Sequence, residues 1–292
     1  MPHLPDIDPP VLEQLGPPDV PEVITYLDVD AVLNVYLLAL VLRDALARPR
    51  DEYWVARRAG RITALLFLGG TSGAVLPVGD DGEGLRLLGE QATRRLELLP
   101  RRFQVIGPRI AVAALLERFP GEGRTPRLQR EQTYLSLEPG RMLWFDRLPE
   151  LRAARREDYA MLYETGAALR AEELLEDPRE VDAVAYARRV DEDCRDGHTL
   201  VWRDARGLVF RAGLSALTAD AAQISGVYTL PQVRGQGVAT RALAEMCTRL
   251  FTRSRCVCLF VNNVNEPALK LYRRLGFTTR SPWASAFYGQ PR

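Results

Sequence analysis

The stretch from Val227 to Leu243, VYTLPQVRGQGVATRAL, holds the residue types best suited to chemistry in this chain. A β-type run ends at Thr229, Pro231 breaks it, and a helical pattern begins within Gly235-Gln236-Gly237. Glycines at a strand-to-helix turn let backbone N–H groups approach a ligand with no Cβ in the way, and the helix N-terminus adds partial positive charge. Together they make an anion site suited to phosphate. The turn is not a Walker A loop, because Gly-Lys-Ser/Thr does not follow Gly235, and no third glycine completes Gly-x-Gly-x-x-Gly. Metal chemistry has little to work with: Cys194, Cys247, Cys256 and Cys258 have only His3 and His198 to join them, and Cys256-x-Cys258 lacks a second pair at ligand spacing. The four cysteines read as buried thiols in a reducing compartment.

The elements that must position this turn belong to an ordinary soluble protein. The chain has 292 residues, 47% hydrophobic and 26% charged, which excludes collagen-like, coiled-coil and wholly disordered classes and leaves room for about two domains. Its longest apolar run, Ala31 to Leu42 with Asn34 inside, is too short to cross a bilayer and reads as a buried helix. No basic patch followed by an apolar region opens the chain, so a cytoplasmic location is expected. The net charge of +1 conceals a division: residues 1–140 sum to −3, residues 150–200 to −6 and residues 201–292 to +9. Such a distribution favours an anionic ligand on the last third and a cationic one near the acidic segment. All but one of the 39 basic residues are arginine, Lys270 being the exception, which reads as genome composition rather than mechanism.

Seven of the first 22 residues are proline, so residues 1–24 read as a loosely attached arm. Asp28 is the expected N-cap of a helix to Ala47. Strands follow near 53–58, 61–68 and 73–78, then a helix 83–97, a strand 103–106, a helix 108–119 and a strand 132–138. A second unit of similar order follows. A strand near 150–154 precedes helices 156–169 and 178–195, the latter with Pro178 in its first turn, then strands 198–204, 207–217 and 221–229. Helix 236–252, strand 256–261, helix 265–275 and strands 277–280 and 284–288 complete it. The boundary is expected in Glu138-Pro139-Gly140-Arg141, dividing lobes 25–140 and 141–292.

Gln232-Val233-Arg234-Gly235-Gln236-Gly237, extended by Ala239, resembles the Gln/Arg-x-x-Gly-x-Gly/Ala pyrophosphate motif of the GNAT superfamily of acyl-CoA N-acyltransferases. Val227-Tyr228-Thr229 with Pro231 resembles the strand that precedes that motif, and Asn265-x-x-Ala268-x-x-x-Tyr272-x-x-x-Gly276-Phe277 is similar to the family's second signature. Two motifs in order, with a strand between them, are far more specific than either alone. The likeness is strong over residues 150–292 and only architectural over 25–140. It implies an α/β fold of two GNAT-like lobes, each a mixed, mostly antiparallel sheet flanked by helices, with a degenerate N-terminal lobe. That lobe's turn reads Gly79-Asp80-Asp81-Gly82-Glu83-Gly84, and its three carboxylates should oppose phosphate.

By the same resemblance, acetyl-CoA is the cosubstrate, no metal is required, and backbone groups around Val227, Tyr228 and Thr229 hold the pantetheine arm and acyl carbonyl. The turn Arg234, Gly235, Gln236, Gly237, Val238, Ala239 and Thr240 would take the pyrophosphate, and Asn265 would both cap its helix and contact CoA. Tyr272 matches the position that protonates the departing thiolate, a task suited to a phenol that stays protonated at neutral pH. Ser225-Gly226 would supply a bulge that opens the strand pair. Ala221, Gln223 and Ser225 stand on the strand where some relatives carry a glutamate, so the base candidates are Glu172 and Glu173, between the two helices that form the acceptor wall. The implied reaction is acetyl transfer to a primary amine, small molecule or peptide, by direct attack in a ternary complex. Other readings are a non-catalytic CoA-binding sensor or interaction module, and a mycothiol-synthase-like acetyltransferase. Nucleic acid and membrane are not expected as partners, and the chain is expected as monomer or homodimer.

Overall fold

The computed structural model describes residues 8–121, 124–143 and 145–289. In chain order its elements are β1 (Val11–Leu15), α1 (Val20–Leu27), α2 (Val35–Asp44), β2 (Asp51–Arg58), β3 (Arg61–Gly69), β4 (Ala74–Gly79), α3 (Gly82–Arg94), β5 (Phe103–Pro108), α4 (Arg109–Leu116) and β6 (Leu128–Leu137). They continue with β7 (Arg152–Ala153), α5 (Tyr159–Leu174), α6 (Pro178–Arg195), β8 (Thr199–Asp204), β9 (Gly207–Leu217), β10 (Ala221–Thr229), α7 (Val238–Leu250), β11 (Cys256–Asn262), α8 (Glu266–Leu275) and β12 (Thr278–Tyr288). The chain divides into two compact units. Unit 1 takes the described residues up to Asp30, then Leu40–Thr133 and the stretch from Ser281; unit 2 takes Ala31–Ala39 and Tyr134–Arg280.

In unit 1 the strands lie in the order β1-β2-β3-β4-β5-β12. Neighbours are antiparallel except β4 and β5, which run parallel through Ala74↔Gln104 and Val75↔Val105. Leu85, Leu88 and Ala92 recur on one side of α3 at helical spacing and pack with Ala111, Val112 and Leu115 of α4 on Leu66 and Leu68 of the sheet. In unit 2 the order is β6-β11-β10-β9-β8-β7. Here β10 and β11 are parallel, while β10–β9, β9–β8 and β8–β7 are antiparallel. Helix α7 turns Leu243, Met246, Cys247 and Leu250 onto this sheet, each buried. At roughly 1.5–3 kcal/mol for each large apolar side chain removed from water, this stripe fixes which face of the helix lies on the sheet. Both units are therefore mixed, mostly antiparallel sheets flanked by helices, one α/β plan used twice.

Several sequence expectations are corrected. Residues 1–7 of the expected arm lie outside the described residues, and the rest is built into unit 1. Strand β1 pairs with β2 from Val11↔Arg57 to Leu15↔Tyr53, and α1 buries Val23 and Leu27 completely. The prolines are tolerated because Pro17 and Pro18 sit in a short 3-10 turn and Pro21 in the first turn of α1, where no intrahelical N–H is needed. The helix expected from Asp28 to Ala47 is shorter: Asp28–Asp30 form a 3-10 turn directly after α1, and the α-helix that follows, α2, covers Val35–Asp44. The two expected terminal strands are one, β12, and α5 runs to Leu174. No single cut near residue 140 separates the units, since unit 1 takes back the C-terminal stretch and unit 2 takes Ala31–Ala39.

The degenerate turn of unit 1 is closed by its own side chains. Asp81 caps α3 by accepting from Gly84 N (3.0 Å), and it also takes Arg58 (2.8 Å) and Thr63 Oγ1 (2.8 Å). Arg58 pairs with Glu83 as well (2.7 Å) and holds the Asp81 carboxyl down to about 2. The amide end that would attract phosphate is thus already filled by a carboxylate. No helix among the described residues is long and apolar enough to cross a membrane.

Candidate active site

The site begins where β10 and β11 part. Their parallel ladder holds only through Ala221↔Cys256, Ala222↔Val257 and Gln223↔Cys258, although β10 continues to Thr229 and β11 to Asn262. The cause is local: the β10–β9 register slips between Gln223 and Ile224 and again between Ser225 and Tyr228, and Gly226 sits at φ +58°. A left-handed residue inside a strand is a bulge that bends it away from its neighbour, and glycine takes that conformation without the penalty of a Cβ. The bulge expected at Ser225-Gly226 is present. At the apex, Tyr134 donates its hydroxyl to the Val32 carbonyl (2.8 Å) and lies 3.1 Å from Cys258 Sγ, while Gln223 donates to Ser215 Oγ (3.0 Å). Tyr134 carries no signal in the sequence, whereas Gln223 stands where some relatives have a glutamate.

Past Thr229 the chain turns at Pro231 and enters α7 through glycines at φ +77° (Gly235) and +80° (Gly237). A Cβ built on either would meet nothing within 4 Å, so both face open space. Gly237 is the N-cap and no side chain caps the helix; the first intrahelical bond runs from Arg241 N to the Gly237 carbonyl (3.1 Å). The amides of Val238, Ala239 and Thr240 therefore have no acceptor within the helix. Val238 buries its side chain while Gln232, Arg234, Gly235, Gln236 and Gly237 are exposed. The motif spacing is met a second time, two residues on, by Arg234, Gly237 and Ala239, and the helix start at Gly237 favours that register. Glu245, buried on α7, takes Arg147 (2.7 Å), Arg249 (2.8 Å) and Leu148 N (3.1 Å), and Arg147 holds its carboxyl down to about 2. This clamp on the helix carrying the open amides had no signal in the sequence beyond a charge inside an apolar stripe.

After β11, Asn265 caps α8 by accepting from Ala268 N (3.2 Å), with a proline in the first turn. Tyr272 lies on this helix, 6% exposed, its ring edge-on to Phe277 with centroids 5.7 Å apart. Burial pushes its phenol well above the usual tyrosine range, and the Glu173 carboxylate adds to that shift. Gly276 ends the helix at φ +101°, and a Cβ there would stand 2.3 Å from the Arg141 carbonyl oxygen. Gly276→Ala is expected to cost about 3 kcal/mol of stability, from left-handed strain plus that clash, read as a lowered denaturant midpoint at unchanged m-value.

Residues 167–277 match the Acetyltransferase (GNAT) family. This segment is a GNAT domain. An acetyltransferase of the GCN5-related type from Sphaerobacter thermophilus superposes over 99% of both chains with a TM-score of 0.61 at 17% identity. A tandem GNAT protein from the clavulanic acid biosynthesis pathway aligns over 95% of this chain and 98% of its own, with a TM-score of 0.56 at 18% identity. A GNAT-family acetyltransferase from Colwellia psychrerythraea aligns over 95% and 99%, with a TM-score of 0.56 at 11% identity. At these identities the likeness is one of fold, and it extends over both units. No curated protein matches the chain by sequence. The GNAT match makes the protein a transferase, and the family's common chemistry is acetyl transfer that depends on acyl-CoA.

Within the GNAT domain, the two base candidates sit in the last turn of α5 rather than between helices, and they part company. Glu172 holds Arg234 through Nη2 with both carboxylate oxygens (2.9 and 3.1 Å). Arg234 also donates Nε to the Thr229 carbonyl (2.9 Å) and lies 5.3 Å over the Tyr228 ring. Glu172 is thus drawn to the glycine turn, whereas the charge of Glu173 acts on Tyr272. The −6 segment does not present a free acidic wall, because much of it is paired. Asp158 takes Arg152 and Arg203, Asp177 and Glu164 take Arg179, Asp191 takes Arg195, and Asp193 takes Arg211. None of the four cysteines is in a disulfide, and all are buried. Burial pushes the Cys247 thiol up to about 12, which removes the thiolate that an acyl-enzyme route would need.

Proposed function

We propose that the GNAT domain transfers acetyl from acetyl-CoA to a primary amine by direct attack in a ternary complex. The observation that carries this reading is that one unit holds the parted β10–β11 pair, the open glycine turn and, on α8, a buried phenol. A Cβ at Gly235 or Gly237 would fill the cradle, so the glycines suit a group held by backbone amides. The amides of Val238, Ala239 and Thr240, with the Gln236 turn and the Arg234 charge, would take the pyrophosphate. Val227 and Thr229 offer backbone groups along the free edge for the pantetheine arm, with Tyr228 between them turned into the fold, and Asn265 lies at the opposite helix start. A backbone N–H aimed at the thioester oxygen contributes about 3 kcal/mol to stabilising the oxyanion.

In the reaction the amine nitrogen bonds to the thioester carbonyl carbon, the C–S bond breaks, and the ammonium proton leaves to Glu173, directly or through water. Tyr272 supplies a proton to the departing sulfur. Incubation with acetyl-CoA and a library of primary amines, following free thiol, tests the reading. Release above the hydrolysis rate with at least one amine is the expected result. Tight CoA binding with no release from any amine would favour a CoA-binding sensor, and no CoA binding would overturn the site itself.

A further inference from the structure

A hydroxyl-lined notch in unit 2 lies one strand away from the slot between β10 and β11. Thr199 on β8 pairs with Gly213 on β9, and Gly213 pairs with Ser225 on β10, so the three stand side by side across the strands. Cross-strand partners turn their side chains to the same face. A Cβ built on Gly213 would stand 3.4 Å from both the Ser225 carbonyl oxygen and Ser225 Oγ, and 4.0 Å from Thr199 Oγ1. The nearest atoms around the space above Gly213 are therefore all oxygens. Thr199 is only 2% exposed, yet neither its hydroxyl nor that of Ser225 makes a hydrogen bond among the described residues. The neighbouring polar pair is closed on itself: Gln223 Nε2 donates to Ser215 Oγ, which donates to the Gln223 carbonyl, both at 3.0 Å. Buried polar groups are nearly always hydrogen-bonded, so the Thr199 hydroxyl calls for a partner from outside the chain. Gly213 and Ser225 are partly exposed and give the notch a mouth.

The notch lies on the β9 side of β10 and the slot on its β11 side, and Ser225 directly precedes the bulge at Gly226. A ligand atom in one and a ligand atom in the other are one strand spacing or a little more apart, roughly 5–7 Å. A saturated chain of about four to five bonds spans that distance. Resting on the proposed acetyl transfer, we infer that the notch selects the acceptor: an amino alcohol whose neutral hydroxyl sits over Gly213 while its amine reaches the slot. Neutrality follows from the surroundings. Arg211, the cation two residues along β9 on the same face, is 7% exposed and committed to Asp193 (3.2 Å) and the Leu162 carbonyl (3.3 Å). A carboxylate or second ammonium placed on two hydroxyls would lose its hydration and gain no counter-charge. An alcohol can donate to one of the three oxygens and accept from the Thr199 or Ser225 hydroxyl. An alkyl group in the same place would leave the Thr199 hydroxyl unpaired, and a site of that kind rejects the analogue that lacks the oxygen. Thr199 and Ser225 are thus specificity-determining residues, set apart from the reacting atoms.

The test uses the full chain, acetyl-CoA and matched acceptors: aminobutanol against pentylamine and aminopropanol against butylamine, each alcohol differing from its partner by a terminal oxygen in place of a methyl. Free thiol release gives kcat/KM for each. Wild type is expected to favour the better alcohol over its alkyl partner by about 10- to 100-fold, with the carboxylate aminobutanoate no better than the alkylamine. Thr199→Val keeps the branched shape, removes the oxygen and is expected to bring that ratio below about threefold. Gly213→Ala is the second variant. Its methyl meets Ser225 at ordinary contact distance, so the fold is kept while the notch is filled, and the ratio is expected to fall through a raised KM for the alcohol. Thermal melting of both variants checks the fold. Equal kcat/KM for alcohol and alkylamine in wild type, a preference for aminobutanoate over both, or a preference that survives both substitutions would each overturn the proposal. Absence of thiol release from every amine would instead remove the acetyl transfer on which it rests.

Discussion

Tyr272→Phe is expected to lower the turnover number by about 100- to 1000-fold while leaving acetyl-CoA affinity within twofold, the range typical of losing a general acid. The substitution removes one oxygen and keeps the ring that meets Phe277 edge-on at 5.7 Å, so packing on α8 is preserved. The environment of the phenol sets its protonation state. Burial, with the nearby Glu173 charge, moves its ionisation well above the ordinary tyrosine value. The active form is the protonated one, and raising the pKa extends its range to higher pH. Wild-type turnover should therefore show no alkaline decline from this group up to about pH 10, where an ordinary tyrosine would have half ionised. A steady-state pH profile paired with equilibrium binding of acetyl-CoA reads both quantities. Equal losses in turnover and affinity would make Tyr272 a binding residue.

Gly237→Val is expected to weaken acetyl-CoA binding by about 100-fold and to cost only about 1–2 kcal/mol of stability. Gly237 adopts φ +80°, a conformation that an L side chain pays roughly that much to enter. Stability suffers no more because a Cβ there meets no atom within 4 Å in the free protein. The same open space is what an anion needs in order to lie against the amides of Val238, Ala239 and Thr240, and a branched side chain fills it. Calorimetry against thermal melting separates the two effects. Loss of affinity in step with loss of stability would mean that the turn is structural. Gly276→Ala is the counterpart: its Cβ collides with the Arg141 backbone, so its damage falls on folding first.

Much of the site was legible in the sequence because its motifs encode backbone conformation locally. Gly235 and Gly237 adopt the positive φ that their placement implies, Asn265 caps α8, and Gly226 makes the bulge beside Ser225. Elements with strong periodicity, such as α3, α7 and α8, fall close to their expected limits. What failed was of another kind. The proline-rich start read as an arm because prolines disfavour regular structure, but they occupy the few positions that tolerate them and leave β1 free to pair with β2. The negative sum over 150–200 suggested a cationic acceptor, yet a charge sum does not say which carboxylates face arginines. Asp158, for example, is fully buried between Arg152 and Arg203.

The sequence by itself determined the family likeness, the glycine turn at the start of α7 and the helix that carries Tyr272, since each depends on residues within a few positions of one another. Tertiary structure decided the pairings across long chain separations. It set Arg234 on Glu172, 62 residues away, Glu245 on Arg147, 98 away, and the C-terminal strand against β5 of unit 1. These contacts depend on which surfaces the folded sheet brings together, and hydrophobic periodicity fixes which face of an element is buried without saying which element covers it. For that reason the turn could be read as an anion site from its glycines alone, while the carboxylate already gripping its arginine became visible only in the fold.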